Sequence, residues 1–370
     1  MYEVEKQNRQ IELLRQVFMM KNPKRIIIPT GYMGSGSSVI TDLMSEVDGV
    51  DVSRGTFEYV FMHCPNGVFD LEDKLLIGNN AVRSDEALHS FEHTMKQLYD
   101  KKYWWVGNYK NNIGEDFWQT TKDYVKSITD VVSDYYWYYQ ENTNLGMFLR
   151  LCVNKGLKLI TLNRYKPKKV LAYSPMRVSF VTPERFYNAT NKYIYKLFDM
   201  AGYSKQSILL DQLLLPFNLF RFENYFNEDA FVFVIERDPR DVFISNKYFW
   251  SKKGEPVPYP TDVKEFCKYY KSLRAIEKPT ACDRVCRIRF EDLIYNYDET
   301  VALIFNKLGW DRKTHTAPKT KFNPERSIFN TQLFLKSKEF SAECDYIAKE
   351  LNEFIYDFPY TIDHSNCEVF

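Results

Sequence analysis

Lys24–Arg25–Ile26–Ile27–Ile28–Pro29 is a short apolar run that leads through Thr30 into Gly31–Tyr32–Met33–Gly34–Ser35–Gly36–Ser37–Ser38, after which residues 39–46 carry a helical pattern. A buried strand, a glycine-rich turn and a helix in that order make an anion site. The amides of the turn converge on the ligand and the helix N-terminus adds partial positive charge. Ser37 and Ser38 add hydroxyls where the helix begins, and Gly31, Gly34 and Gly36 allow close approach of the backbone. The nucleoside-triphosphatase loop reads G-x-x-x-x-G-K-[ST]. Gly31, Gly36 and Ser38 fit it, but Ser37 stands where its lysine belongs. The cradle is present without the cation that a kinase or ATPase needs.

Outward from this loop, further strand candidates fall at 57–62, 157–162, 207–210, 231–235 and 285–290. Helical patterns occupy 85–99, 121–138, 183–200, 299–308 and 341–354. Strands alternating with helices predict an α/β fold, with a P-loop-like central parallel sheet flanked by helices. The expected organisation is one domain over residues 1–370. It comprises an N-terminal helix at 1–20, a nucleotide-binding core at about 24–62 and 206–335, and a large helical insertion at about 66–205 that is expected to build the acceptor side.

Composition narrows the partners. A formal net charge of +1 argues against a broad nucleic-acid-binding surface. No run approaches the ~18 apolar residues of a membrane span, and 1–20 is polar and amphipathic, unlike a secretory signal. Seven dispersed cysteines predict free thiols and a reducing cytoplasm. The sequence sets no oligomeric state.

A second stretch sharpens the chemistry. Phe231–Val232–Phe233–Val234–Ile235–Glu236–Arg237–Asp238–Pro239–Arg240–Asp241–Val242–Phe243–Ile244–Ser245 reads as a strand ending at Arg237 and a helix capped by Asp238. Pro239 takes its first position, and Asp241 sits where a capping box would place an acid. Arg237 then stands at the carboxyl end of a strand, where open α/β sheets bind ligands. Ser245 lies two turns into the helix, and the two side chains are placed to grip one phosphate.

This segment resembles the 3′-phosphate-binding motif of sulfotransferases that use 3′-phosphoadenosine-5′-phosphosulfate (PAPS), in which an Arg and a Ser at this spacing hold the 3′-phosphate. The resemblance implies cofactor-binding roles for Arg237 and Ser245, and for Gly34, Ser35, Gly36, Ser37 and Ser38 as the 5′-phosphosulfate loop. Arg289–Phe290–Glu291–Asp292–Leu293 is similar to the family's "YEDL" segment, with Phe290 where a Tyr near the adenine is usual. Arg326–Ser327–Ile328–Phe329–Asn330 looks like the loop that closes over the nucleotide, which makes Arg326 a further contact. The family usually carries Lys or Arg where this chain has Gly34, so either helix-terminal amides carry that load or a basic residue arrives from elsewhere, with Arg83 and Arg164 as candidates. The implied activity is transfer of a sulfuryl group from PAPS to an acceptor hydroxyl, releasing adenosine 3′,5′-bisphosphate, with no metal. The acceptor is expected to be a carbohydrate, such as a polysaccharide precursor made in a bacterial cytoplasm, or else a small phenol or sterol. A P-loop kinase or an inactive PAPS-binding module are the alternatives.

Transfer to a hydroxyl calls for a general base. Glu58, in the apolar run Phe57–Glu58–Tyr59–Val60–Phe61, matches the position of a catalytic Glu in glycan sulfotransferases of the heparan type. His63 is the rival base and Asp211 a third candidate. In the middle of the chain, Tyr103–Trp104–Trp105, Trp118 and the aromatic run at 135–139 suit either sugar stacking or plain packing. Lys166, Lys168 and Lys169 form a small basic run. His89 and His93 share a helix face, but without the H-E-x-x-H pattern they make no metal site, and Cys282 and Cys286 lack a second pair.

Overall fold

A computed structural model of the chain describes residues 25–52, 57–100, 106–133, 145–165, 176–254 and 257–364. The N-terminal helix expected at 1–20, Tyr103 to Trp105, the aromatic run 135–139 and Lys166, Lys168 and Lys169 lie outside the described residues. The chain divides into two compact units, one of residues 1–60 and 203–370, the other of residues 61–202.

The first unit is built on a five-stranded sheet. Its strands are β1 (Arg25–Gly31), β2 (Val50–Val52), β3 (Ser207–Leu209), β4 (Ala230–Glu236) and β5 (Val285–Arg289), in the spatial order β2-β3-β1-β4-β5. Every neighbouring pair is parallel. The α/β architecture with a central parallel sheet flanked by helices is thus as expected. Ile26, Ile27 and Ile28 on β1 and Val232 to Ile235 on β4 are almost wholly buried, as strands covered on both faces must be.

Helix α1 (Ser38–Ser45) turns Val39, Ile40, Leu43 and Met44 inward. They join Ile27, Phe233 and Ile235 from the sheet and Ile304, Phe305 and Leu308 from the helix Tyr297–Leu308 in one core. Each such side chain contributes about 1.5–3 kcal/mol of burial free energy. A second cluster gathers Val242 and Phe243 of helix α2 (Pro239–Ile244) with Phe266, Tyr270, Leu333, Ile347 and Leu351.

From β1 the chain passes through α1 to β2, beyond β3 on one side. From β4 it runs to β5 on the other side. The carboxyl ends of β1 and β4 therefore adjoin where the connections diverge, which is where open parallel sheets form a ligand crevice.

The second unit is mainly helical, with an antiparallel ribbon of Val131–Ser133 against Met176–Val178. Its core is aromatic. Tyr124 and Tyr193 stack with ring centroids 4.5 Å apart, and Phe91 and Phe61 pack edge-on to them. The phenol of Tyr124 shares a hydrogen bond with Thr190 at 2.7 Å, and that of Tyr193 with Thr121 at 2.9 Å. These buried rings serve packing. Trp118 is half-buried, with Lys96 and Lys122 near its face.

Three local expectations are corrected. Residues 57–62 form no strand, because their backbone partners come from elsewhere: the Tyr59 amide donates to Asp211 O, while Phe61 O and Met62 O accept from the amides of Val68 and Phe69 at the start of a helix. Residues 157–162 are the last turn of the helix Leu145–Ile160 and its exit, where Leu162 and Asn163 take positive φ. The helix expected to run from 121 to 138 ends at Ser127, and the chain then enters the ribbon.

Candidate active site

The loop after β1 is shaped by two left-handed glycines, Gly34 and Gly36, each at φ +81°. A Cβ at Gly34 would stand 3.1 Å from the Trp250 ring, and one at Gly36 would stand 3.0 Å from the Phe290 ring. A side chain at either position would strain the left-handed backbone and push a ring aside by a few tenths of an ångström. Ser37 precedes α1 and Ser38 opens it. At the start of α1 the amides of Val39 and Ile40 turn back onto Gly36 O and Ser37 O, each at 3.1 Å, which ties the loop to the positive end of the helix.

Arg237 leaves β4 beside this loop. It is 5 % exposed. Its Nη1 donates to Gly34 O at 3.0 Å and its Nη2 to Asn330 O at 2.6 Å, while the guanidinium lies 5.1 Å from the centroid of the Phe290 ring. Arg237 therefore joins the glycine loop, the strand end and the 328–330 turn at one point. Phe290 is buried between Gly36 and Arg237. Among the buried side-chain atoms without a protein partner are Ser35 Oγ in the loop, Arg237 Nε at the end of β4 and Ser245 Oγ just past α2. Buried donors normally find partners, so each of these is open to a ligand.

The surrounding acids are structural. Asp238 caps α2 by accepting from the Arg240 amide at 2.9 Å, and it pairs with the Arg240 side chain at 2.8 Å. Asp241 does not complete a capping box, because the Asp238 amide is taken by Glu291 Oε1 at 2.7 Å. Asp241 instead accepts the amides of Gln332 at 2.9 Å and Leu333 at 2.7 Å. Burial, and after it the charge of Asp238, raises the Asp241 carboxyl well above its usual range. Burial pushes Glu291 up to about 7, against the pull of Arg289.

The base candidates fall as follows. Glu58 lies in the irregular segment beside Asp211, tied there by the Tyr59 amide to Asp211 O bond of 3.0 Å. Burial raises the Glu58 carboxyl to about 7, and the charge of Asp211 adds to the rise. Burial likewise raises Asp211 to about 6, although the Gln212 amide counters it. Asp211 Oδ1 has no hydrogen-bond partner. The next residue, Gln212, donates from its amide nitrogen to Pro29 O at 3.1 Å and from Nε2 to Ser37 Oγ at 2.9 Å. Asp211 thus stands one residue from a direct contact with the glycine loop, and Glu58 is linked to Asp211 through the Tyr59 amide. Gln212 was not foreseen from sequence. Its one signature is a non-glycine residue at φ +55°, which no local pattern announces.

His63 belongs to the second unit, in the turn after Phe61. Arg326 is exposed on the short helix Pro324–Ser327 and contacts neither the loop nor Arg237; of that segment it is Asn330 that meets the site. Arg83 donates to the carbonyls of Lys74 and Asp73 within the second unit, and Arg164, in the same unit, is exposed. Among the described residues no group of three or more His, Cys, Asp or Glu is arranged to hold a metal ion.

No family model and no curated protein matches the chain. Among solved structures, it is similar to the sulfotransferase domain from the Synechococcus PCC 7002 olefin synthase, with a TM-score of 0.37 and 13 % identity over 91 % of this chain and 96 % of that one. The sulfotransferase domain from the curacin biosynthetic pathway gives 0.36 and 12 % over 91 % and 99 %. A sulfotransferase from Mycobacterium avium gives 0.34 and 12 % over 90 % and 78 %. Values this low leave the activity to be argued from the site itself.

Proposed function

We propose that this chain transfers a sulfuryl group from PAPS to an acceptor hydroxyl. The observation that carries the reading is three buried donors without a protein partner: Ser35 Oγ in the loop after β1, Arg237 Nε at the end of β4 and Ser245 Oγ just past α2. Arg237 and Ser245 would hold the 3′-phosphate, and the 34–38 loop at the positive end of α1 would hold the 5′ side. When bound, PAPS supplies an activated sulfuryl group on a leaving phosphate. The chain's own part is to fix that group, to offset charge on the leaving oxygens with loop amides and Arg237, and to take the acceptor's proton.

Glu58 is the proposed base. A carboxylate raised to about 7 is matched to proton transfer near neutral pH. His63 is the rival, and Arg326 is proposed to join the nucleotide from its exposed position. A carbohydrate acceptor is the preferred substrate class, with a small phenol or sterol second. Ser37 in the lysine position weighs against a kinase.

The test is calorimetric titration with adenosine 3′,5′-bisphosphate, 5′-AMP and ATP. The bisphosphate is expected to bind at least about tenfold more tightly than 5′-AMP, as one charge-assisted phosphate contact implies. Ser245→Ala should erase that preference, and so should Arg237→Ala. Equal binding of bisphosphate and 5′-AMP, or turnover of ATP, would sink the reading. Tight binding with no transfer to any acceptor would mark an inactive nucleotide-binding module.

A further inference from the structure

The helix Leu145–Ile160 in the second unit wears its apolar side outward. Among its described side chains the well-buried one is polar: Asn154, 9 % exposed. At ~100° per residue, Phe148, Leu159, Leu145, Leu149, Ile160 and Val153 fall within an arc of roughly 140° on the side away from Asn154. The structure shows all six in solvent, from 56 % exposure at Leu149 to 81 % at Ile160, and Leu162 follows at 84 %. An ordinary surface helix does the reverse and turns its apolar stripe to the core. Contiguous exposed apolar surface of this kind marks an interaction site.

The charge around the helix identifies the partner. No Asp or Glu occurs between Glu141 and Glu184, whereas Arg150, Lys155, Lys158 and Arg164 do. Lys155, Lys158 and Arg164 are exposed. By the same helical geometry Lys155 borders the apolar arc at Phe148, the place from which a long stem buries its methylenes and keeps its ammonium in a polar layer. A second copy of the chain suits this face poorly, since a two-fold contact would bring its basic border against itself. An anionic lipid surface answers both features, because apolar side chains enter the acyl boundary while lysines meet phosphate and carboxylate headgroups. Sixteen residues rise roughly 24 Å, short of the ~30 Å hydrocarbon core, and no described helix is long and apolar enough to cross a membrane.

We infer that the helix Leu145–Ile160 is an in-plane docking element for anionic bilayers. The inference is independent of the proposed activity, and a null result for either leaves the other standing.

The experiment is flotation of the full chain with vesicles of phosphatidylcholine alone and with roughly a third phosphatidylserine, alongside sedimentation of the free protein. Expected are a monomer in solution and binding to the anionic vesicles that weakens as salt is raised. The double variant Phe148→Glu/Ile160→Glu should lose binding at least about tenfold, and Lys155→Glu/Lys158→Glu likewise. Leu303→Glu, an exposed leucine of the first unit, should leave binding unchanged. Thermal midpoints near that of the parent would show the variants folded, since the substituted side chains already face solvent. The inference is overturned if anionic vesicles do not float the protein, if Phe148→Glu/Ile160→Glu floats as well as the parent, or if the free chain is a dimer that this variant dissociates.

Discussion

At the scale of single residues, Glu58 and Gly34 make opposite demands on the backbone around them. Glu58 needs burial, because burial is the first cause of its rise to about 7. With Glu58 as base, turnover requires its ionised form, so kcat should climb with pH through about 7 and level off above. Glu58→Gln should cut kcat by about a hundredfold or more, flatten that rise, and leave bisphosphate affinity unchanged. A variant with near-parental kcat removes Glu58 from the role and passes it to His63 or Asp211. Gly34 needs freedom from a side chain. Gly34→Lys would restore the family's usual cation in sequence, but it would impose a left-handed lysine against Trp250. We predict a loss of about 1–2 kcal/mol from the conformation alone, read as a lower urea midpoint, and weaker nucleotide binding. A stabilised or tighter-binding Gly34→Lys would show that the loop relaxes. Glu291 contributes to stability with a defined sign. Its carboxyl is raised in the folded chain to about 7, so the folded state holds more protons than the unfolded state between about pH 4.5 and 7. The stability from this group therefore falls as pH rises through that window. Glu291→Gln should flatten the decline of the thermal midpoint between pH 5 and 8, and an unchanged slope would count against it.

At the scale of elements, the segment that brings Asn330 to Arg237 is pinned well upstream of it. Glu46, fully buried just past α1, accepts from the amides of Lys321 at 2.7 Å, Phe322 at 2.8 Å and Lys319 at 3.1 Å, and from His315 Nε2 at 2.7 Å. Glu46→Ala would leave several buried donors open, each costing about 1–3 kcal/mol. The expected result is a stability loss of about 3 kcal/mol or more, with amide exchange accelerated at residues 319–322 before the sheet strands exchange. Uniform acceleration across the unit would instead mean that the contact holds the whole fold. The same scale shows why some of the site was legible in the sequence and some was not. Arg237 and Ser245 sit on one local strand–turn–helix, so spacing alone named them as candidates. Gln212 meets Ser37 across 175 residues, and no local pattern encodes such a pairing. The segment 57–62 misled because aromatic and β-branched residues mimic a strand, although its amides and carbonyls are spoken for by Asp211 and a following helix. The leucines of 157–162 misled differently. They belong to a helix whose apolar side faces out, so a six-residue window showed hydrophobicity without the inward stripe that gives a helix away.

At the scale of the whole chain, one continuous segment forms the second unit, while the first unit is made from the two ends. The chain leaves the first unit after Val60 and returns at Tyr203. The phenols of Tyr59 and Tyr203 hydrogen-bond to each other, so departure and return are neighbours. All five sheet strands, the glycine loop, Arg237, Ser245, Glu58 and Asp211 lie in the first unit. Such an arrangement is that of an insertion at a single surface point, which folded domains tolerate. Replacing residues 61–202 by about six Gly/Ser residues, enough to span two adjacent chain ends, should give a cooperatively folding protein. It should bind adenosine 3′,5′-bisphosphate with Kd within about tenfold of the full chain, a difference of ~1.4 kcal/mol. It should also lose transfer to the acceptor, because the proposed acceptor side lies in the excised unit. Calorimetry and a transfer assay on the two proteins decide it. A shortened chain that folds and binds but still sulfates would move acceptor recognition into the first unit. One that fails to fold would make the second unit part of the first unit's stability, and the division into two units would then describe compactness only.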